Sequence, residues 1–237
     1  MNDDLLLSPS SINDFIQCPA KFWYSRWYKR LPIKTETMEF GLTLHEIIAK
    51  YYNLIPENLT PTECFMYIRK AVEEVVGSQS LSVVLRKFSW HLKQFEKFEK
   101  QRLSWHINPK PLAVEKKYIK PPFMGIVDAI FKRDGKLVVV DWKSGRAPSE
   151  LPEYYTIQGC IYAYLTNADE IIFYFLTSGR FLRIEYKHCN EVKQKILDVI
   201  NQIKEGVFTK NRGSHCKECP VQIPCYIDDL NLKLLEF

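Results

Sequence analysis

Asp128, Asp141 and Lys143 are the residues whose types and spacing point first to chemistry. Asp141 and Lys143 close the run KLVVVDWK, residues 136–143, and Asp128 lies in FMGIVDAIFK, residues 123–132. Both runs have the β-branched and aromatic content of strands. Between them stand Asp134 and Gly135, a pair that favours a two-residue hairpin turn. Such a turn pairs Arg133 with Lys136 and sets Asp128 opposite Asp141, with Cβ atoms about 4.5–5.5 Å apart. Lys143, two residues past Asp141, points to the same face. Val127, Ala129 and Phe131 are expected on the other face, with Val138, Val140 and Trp142. Two carboxylates facing each other in a buried sheet repel and resist desolvation. A divalent cation removes both costs, because it takes hard oxygen ligands and leaves an open side for water and a phosphate oxygen. A lysine beside it can orient or activate the attacking water. The bland alternative is a surface Asp–Lys pair with Asp128 solvated at a strand end.

Seven cysteines stand at 18, 64, 160, 189, 216, 219 and 225. Their number is odd and no secretory pattern precedes them, so a disulfide framework is not expected. Cys216, Cys219 and Cys225 form C-x2-C-x5-C, which suggests a metal or cluster; a zinc site could complete itself with His215. Cys64, Cys160 and Cys189 lack partners at ligand spacing and read as buried small hydrophobes.

These residues need a scaffold, and 237 residues with 46% hydrophobic and 26% charged content suffice for one large globular domain. The net charge of +5 permits a nucleic-acid partner without demanding one. No apolar run approaches the roughly 20 residues of a membrane span. The start, MNDDLLLSPSS, lacks the basic, apolar pattern of a signal peptide, so a cytoplasmic protein without a membrane partner is expected. A helix opens at Ser8 and Pro9 and breaks at Cys18-Pro19. Phe22, Trp23, Tyr24, Trp27 and Tyr28 then crowd one segment that either packs on the core or stacks on bases. Further helices are expected over 37–54, 61–77, 80–105, 152–166 and 190–206. Strands are expected over 112–119, 123–132, 136–143, 170–178 and 180–187. The tail GSHCKECPVQIPCY shows no periodicity. The fold class that follows is α/β, a central mixed sheet flanked by helices.

Asp128 followed by Asp141-Trp142-Lys143 at the end of the next strand resembles the PD-(D/E)XK nuclease signature. GLTLH, Gly41 to His45, is similar to the G-x-x-x-H motif of the RecB-like branch. GIVDAI resembles its G-x-x-D-x-I motif, and QGCIY, Gln158 to Tyr162, its Q-x-x-x-Y motif. The context of Cys18, QCPAKFWY, resembles the first cluster cysteine of the iron–sulfur members of that branch, as in AddB and Cas4.

The resemblance implies a restriction-endonuclease-like core and one nuclease domain over 1–237. Its parts would be a helical part over 37–110, a catalytic core over 111–206, and cluster-binding ends over 1–36 and 207–237. It implies that His45, Asp128 and Asp141 hold Mg²⁺ or Mn²⁺. Lys143 would orient water, and Gln158 and Tyr162 would position Lys143 or contact the DNA strand. Glu115 could lend a further carboxylate, and Arg146 a phosphate contact. Cys18, Cys216, Cys219 and Cys225 would hold a structural [4Fe–4S] cluster, with zinc as the alternative. The implied substrate is single-stranded DNA or DNA ends, cut as an exonuclease and perhaps as an endonuclease. Cas4 proteins more often carry E-x-K, whereas this D-x-K is of the RecB and AddB type. A Cas4-like role in CRISPR spacer acquisition with Cas1 and Cas2 therefore stands beside two others. One is a stand-alone recombination, repair or viral nuclease. The other is a non-catalytic DNA-end-binding subunit. No G-x-x-x-x-G-K-[ST] loop is present, so any helicase would be a separate protein.

Overall fold

The computed structural model describes residues 5–27, 36–104, 108–185 and 188–235, apart from the side chains of Trp27 and residues 230–235. The first helix, α1 (Pro9–Gln17), starts with a reciprocal cap: the Ser11 N–H donates to Ser8 Oγ, and the Ser8 N–H to Ser11 Oγ. It ends at Cys18, which is extended because the following proline disfavours a helical conformation there. α2 (Pro19–Trp27) follows. Phe22 and Tyr24 are buried, and Phe22 and Trp23 stack on Phe208. These three aromatics thus pack inward; the side chain of Trp27 and all of Tyr28 lie outside the described residues.

The sheet runs β1 (Ala113–Lys120), β2 (Phe123–Arg133), β3 (Lys136–Lys143), β4 (Glu170–Phe175), β5 (Arg180–Glu185), in that spatial order. Neighbours are antiparallel except β3 and β4, which are parallel. A parallel pair needs a crossover, and α6 (Glu153–Thr166) provides it. On one face α6, α1 and α7 (Cys189–Glu205) share a core with Val127, Ile130, Val139 and Phe173. On the other, α3 (Glu36–Leu54), α4 (Cys64–Val76) and α5 (Leu81–Ser104) share one with Ala129, Phe131, Val140 and Trp142. No helix among the described residues is long and apolar enough to cross a membrane. The β2–β3 turn has positive φ at both Asp134 (51°) and Gly135 (80°), as a two-residue turn of the primed type requires. Its register is the expected one, from Arg133↔Lys136 to Ala129↔Val140.

Four expectations need correction. The β2–β3 ladder stops at Ala129↔Val140, so Asp128 and Asp141 are not a ladder pair. Instead the Trp142 N–H donates to Asp128 Oδ2 at 2.8 Å. Secondly, Val127 lies on the face opposite Ala129 and Phe131. The cause is a local distortion shared by two strands. Val114↔Ala129 and Lys116↔Val127 pair normally, but Glu115 and Asp128 between them do not, and Glu115 has φ +43°. Each strand carries one residue out of the pleat, so both change face together and keep their register.

Thirdly, the tail is not wholly irregular: a 3-10 turn at Ser214–Glu218 leads into α8 (Gln222–Leu235). Lastly, Cys160 and Cys189 are joined by a disulfide rather than being separate core residues. α7 begins where it packs on α6, which brings their Cα atoms to 5.3 Å, within bridging range. Cys64 is free and buried.

Candidate active site

Asp141 occupies the last turn of the pleat before β3 leaves the sheet, and it is 3% exposed. Its Oδ2 stands 2.6 Å from Lys143 Nζ, and its Oδ1 accepts from Gln158 Nε2 at 3.1 Å. Gln158 is bifunctional: its Oε1 accepts from Lys143 Nζ at 3.2 Å, while its Nε2 also donates to Tyr162 Oη at 3.0 Å. One amide thus fixes both members of the Asp–Lys pair and orients the phenol. Burial, first of all, pushes the Asp141 carboxyl up to about 6; Lys143 pulls it down and Asp128 pushes it up. The Tyr162 phenol is raised well above its ordinary value, chiefly by burial and then by Asp141, so it stays protonated and can donate.

Asp128 reaches this region from β2, His45 from α3 and Glu115 from β1. His45 Nδ1 lies 3.3 Å from Asp128 Oδ2 and 3.7 Å from Glu115 Oε1. One ligand atom from each of the three falls within 4.8 Å of the others, and among the described residues no other such group occurs. Burial lowers the His45 pKa, but hydrogen bonds to Asp128 and Glu115 outweigh it and take it up to about 10. The distortion that drops Glu115 and Asp128 from the ladder also frees both carboxylates for this corner. Positive φ at a non-glycine residue is a strained conformation, and here it coincides with a converging side chain. Two carboxylates and an imidazole suit Mg²⁺ or Mn²⁺, which prefer oxygen and tolerate nitrogen.

The two motif glycines have steric reasons. A Cβ on Gly41 would stand 3.3 Å from Ser144 Oγ, so a glycine lets α3 approach the exit of β3 and present His45 one turn later. A Cβ on Gly125 would meet the Tyr162 ring at 3.1 Å and Leu165 at 3.2 Å.

His45, Asp128 and Glu115 thus converge, while Asp141, Lys143, Gln158 and Tyr162 form an adjoining hydrogen-bonded chain. Asp141 lies outside the 4.8 Å trio, its oxygens turned to Lys143 and Gln158. Arg146 is exposed on the following loop. Two residues escaped the sequence reading: the rings of Tyr155 and Phe173, whose centroids lie 5.4 and 5.2 Å from Lys143 Nζ. Tyr155 is one helical turn before Gln158, which was the available signal.

The four remaining cysteines lie where the chain ends meet. The Ala20 N–H donates to Thr209 O, and the Asn211 side chain donates to Gln17 O. Cys18, Cys216, Cys219 and Cys225 line one cavity of about 80 Å³, with His215 and Lys210 also on its wall. The Asn211 N–H points at Cys18 Sγ, 3.4 Å away. Burial pushes the Cys225 thiol up and Lys210 pulls it down. No three of these sulfurs close to within 4.8 Å among the described residues. Tetrahedral zinc, with Zn–S of about 2.3 Å, would need them closer.

A mixed sheet with acidic groups and a lysine on its central strands, and a histidine from a flanking helix, is an arrangement that could hold a divalent metal. The family model of the PD-(D/E)XK nuclease superfamily matches residues 6–226, and the chain belongs to that superfamily. Among solved structures it is similar to SSO0001, at 14% identity over 78% of this chain and 95% of that one, with a TM-score of 0.36. No curated protein matches it.

Proposed function

We propose that the protein is a divalent-metal-dependent deoxyribonuclease acting on single-stranded DNA or DNA ends. The observation that carries this reading is the convergence of His45, Glu115 and Asp128 beside the Asp141–Lys143 pair. His45, Asp128 and Glu115, with Asp141 adjoining, are the residues that would hold Mg²⁺ or Mn²⁺. When bound, the cation supplies charge neutralisation for the phosphodiester oxygens and for the attacking water. Lys143 Nζ, held by Gln158 and Asp141, orients that water or contacts a non-bridging oxygen. Tyr162, its oxygen already accepting from Gln158, keeps its O–H to donate to substrate. The water oxygen bonds to phosphorus and gives up a proton to solvent, the bond to the leaving oxygen breaks, and that oxygen takes a proton from solvent. A non-catalytic DNA-end-binding subunit would have no use for a lysine held this way. Cleavage of labelled single-stranded DNA with Mn²⁺ tests the reading. Lys143→Ala should lose about a hundredfold or more in rate; full-rate cleavage by that variant would refute it.

The cysteine cavity supports a [4Fe–4S] cluster that ties residues 18 and 216–225 together, as in the RecB-like branch. Four cysteines share its wall, and four thiolates suit iron–sulfur ligation. Anaerobically purified protein should absorb broadly near about 400 nm, and Cys216→Ser should bleach it. A colourless wild type containing zinc would overturn the cluster. Co-purification with Cas1 and Cas2 would point to the Cas4-like role in spacer acquisition. Cutting of DNA ends in their absence would point to a stand-alone repair, recombination or viral nuclease.

A further inference from the structure

The helix α5 carries an exposed stripe that none of the site chemistry uses. Arg86, Trp90, Lys93 and Lys97 recur at helical spacing and are all exposed. Trp90 is 54% exposed. A large ring so open to water usually moves, yet this one is fixed: its Nε1 donates to Thr177 O at 2.7 Å. Thr177 Oγ1 in turn donates to Gly145 O at 2.7 Å. Gly145 is two residues past Lys143, so Trp90 is tied by two hydrogen bonds to the lip of the active site. No ion pair or hydrogen bond engages the side chains of Arg86, Lys93 or Lys97 among the described residues.

The stripe leads to a second aromatic. Lys97 lines a cavity of about 130 Å³ together with Phe98, Gln101, Arg133, Phe181 and Arg183. Phe181 is 55% exposed, and Arg183 lies against its ring at 5.9 Å. Along α5 an apolar face is thus interleaved with unpaired positive charge, on a path that starts at the lip and ends at a hollow where Arg133 and Arg183 pair with Glu170. A duplex presents phosphates but hides its base faces; a single strand presents both. We infer that α5 and the β4–β5 hairpin form a track for single-stranded DNA entering or leaving the site. Bases stack on Trp90 and Phe181, and phosphates pair with Arg86, Lys93 and Lys97. This rests on the deoxyribonuclease reading and adds the surface along which its substrate would reach the site.

Equilibrium binding of fluorescent oligothymidylates to the full chain, without added divalent metal, tests the track separately from cleavage. Wild type should bind a strand of roughly 30 nucleotides much more tightly than one of about 4, and more tightly than a blunt duplex. Trp90→Ala should weaken binding of the long strand about tenfold, and Trp90→Phe should restore most of it because the stacking surface remains. Lys93→Ala with Lys97→Ala should flatten the slope of log affinity against log salt by about 1.4, two phosphates at roughly 0.7 each. Lys70→Ala, an exposed lysine of α4 outside the stripe, should change neither quantity, and thermal melting should show all variants folded. Unchanged long-strand affinity in both Trp90→Ala and the double lysine variant overturns the track, as does equal affinity for duplex. If Asp141→Ala abolishes cleavage while those variants bind normally, the nuclease reading stands and the track alone falls. If wild type neither binds nor cuts DNA, both fall.

Discussion

Among the described residues, Glu170 is buried between Arg133 and Arg183, and two further places bury carboxylates and treat them oppositely. Under α5, Glu99 is 0% exposed, and Arg102 beside it is 3% exposed. Glu99 receives two hydrogen bonds from the Arg102 guanidinium, at 2.9 and 2.7 Å, and one from the Tyr52 hydroxyl at 2.7 Å. Two further Arg102 N–H groups donate to the carbonyls of Asn108 and Pro109. This network neutralises itself and pins α3, α5 and the approach to β1. At the end of β2 and β3, in contrast, Glu115, Asp128 and Asp141 crowd one corner with one lysine and one histidine. There burial raises Asp141, the backbone of Glu115 is strained, and ligand atoms turn toward a shared point. Satisfied charge holds a fold together; crowded charge held open by a rigid sheet is suited to a cation and its substrate.

Breaking each region should therefore have a different signature. Arg102→Met leaves Glu99 buried and unpaired, which should cost about 3–5 kcal/mol of stability in denaturant titrations. Activity should then fall only as the protein unfolds. Asp141→Asn should do the reverse: cleavage falls on the order of 10²–10³, while the melting temperature of the metal-free protein holds or rises.

Mn²⁺ sharpens the contrast. At about a hundred times its dissociation constant it should stabilise wild type by about 2.7 kcal/mol in thermal melts and leave Asp128→Asn nearly unmoved. The sign with pH follows from the protonation of the site. In metal-free protein, the stability from Asp141 is fully present below about 3.8 and lost as pH rises through about 6. That from His45 is present below 6.5 and lost as pH rises through about 10. A cation needs both groups deprotonated, so its stabilising effect should grow with pH across that window, with proton release measurable by calorimetry. The smallest effect belongs to Tyr52→Phe, about 1.5–2 kcal/mol from one lost hydrogen bond to the buried Glu99 carboxylate.

Much of the frame was legible because short-range chemistry dictated it. Asp134-Gly135 set the hairpin, Ser8-Pro9 opened α1, and Pro19 broke it. The change of face at Glu115 and Asp128 was not legible. Both strands slip together, and GIVDAIF is apolar on either side of the aspartate, so no pattern betrays which face Val127 takes. For the same reason the convergence of Glu115 could be offered only as an option, since it depends on the β1–β2 register. The disulfide joins residues 29 apart on two helices, an adjacency visible only after packing. α8 was hidden because Cys219-Pro220 and Pro224-Cys225 look like loop, although a proline near a helix start is well tolerated. The Arg102–Glu99 network read as ordinary charge on a helix, because burial is decided by what α3 and the sheet place around it.

The most direct test of the central claim is cleavage of end-labelled single-stranded DNA by wild type and Asp128→Asn, each with and without Mn²⁺. Wild type should cut only with the metal and the variant should not cut, with both proteins folded. Cutting at the wild-type rate by Asp128→Asn, or cutting by wild type that ignores the metal, would contradict it.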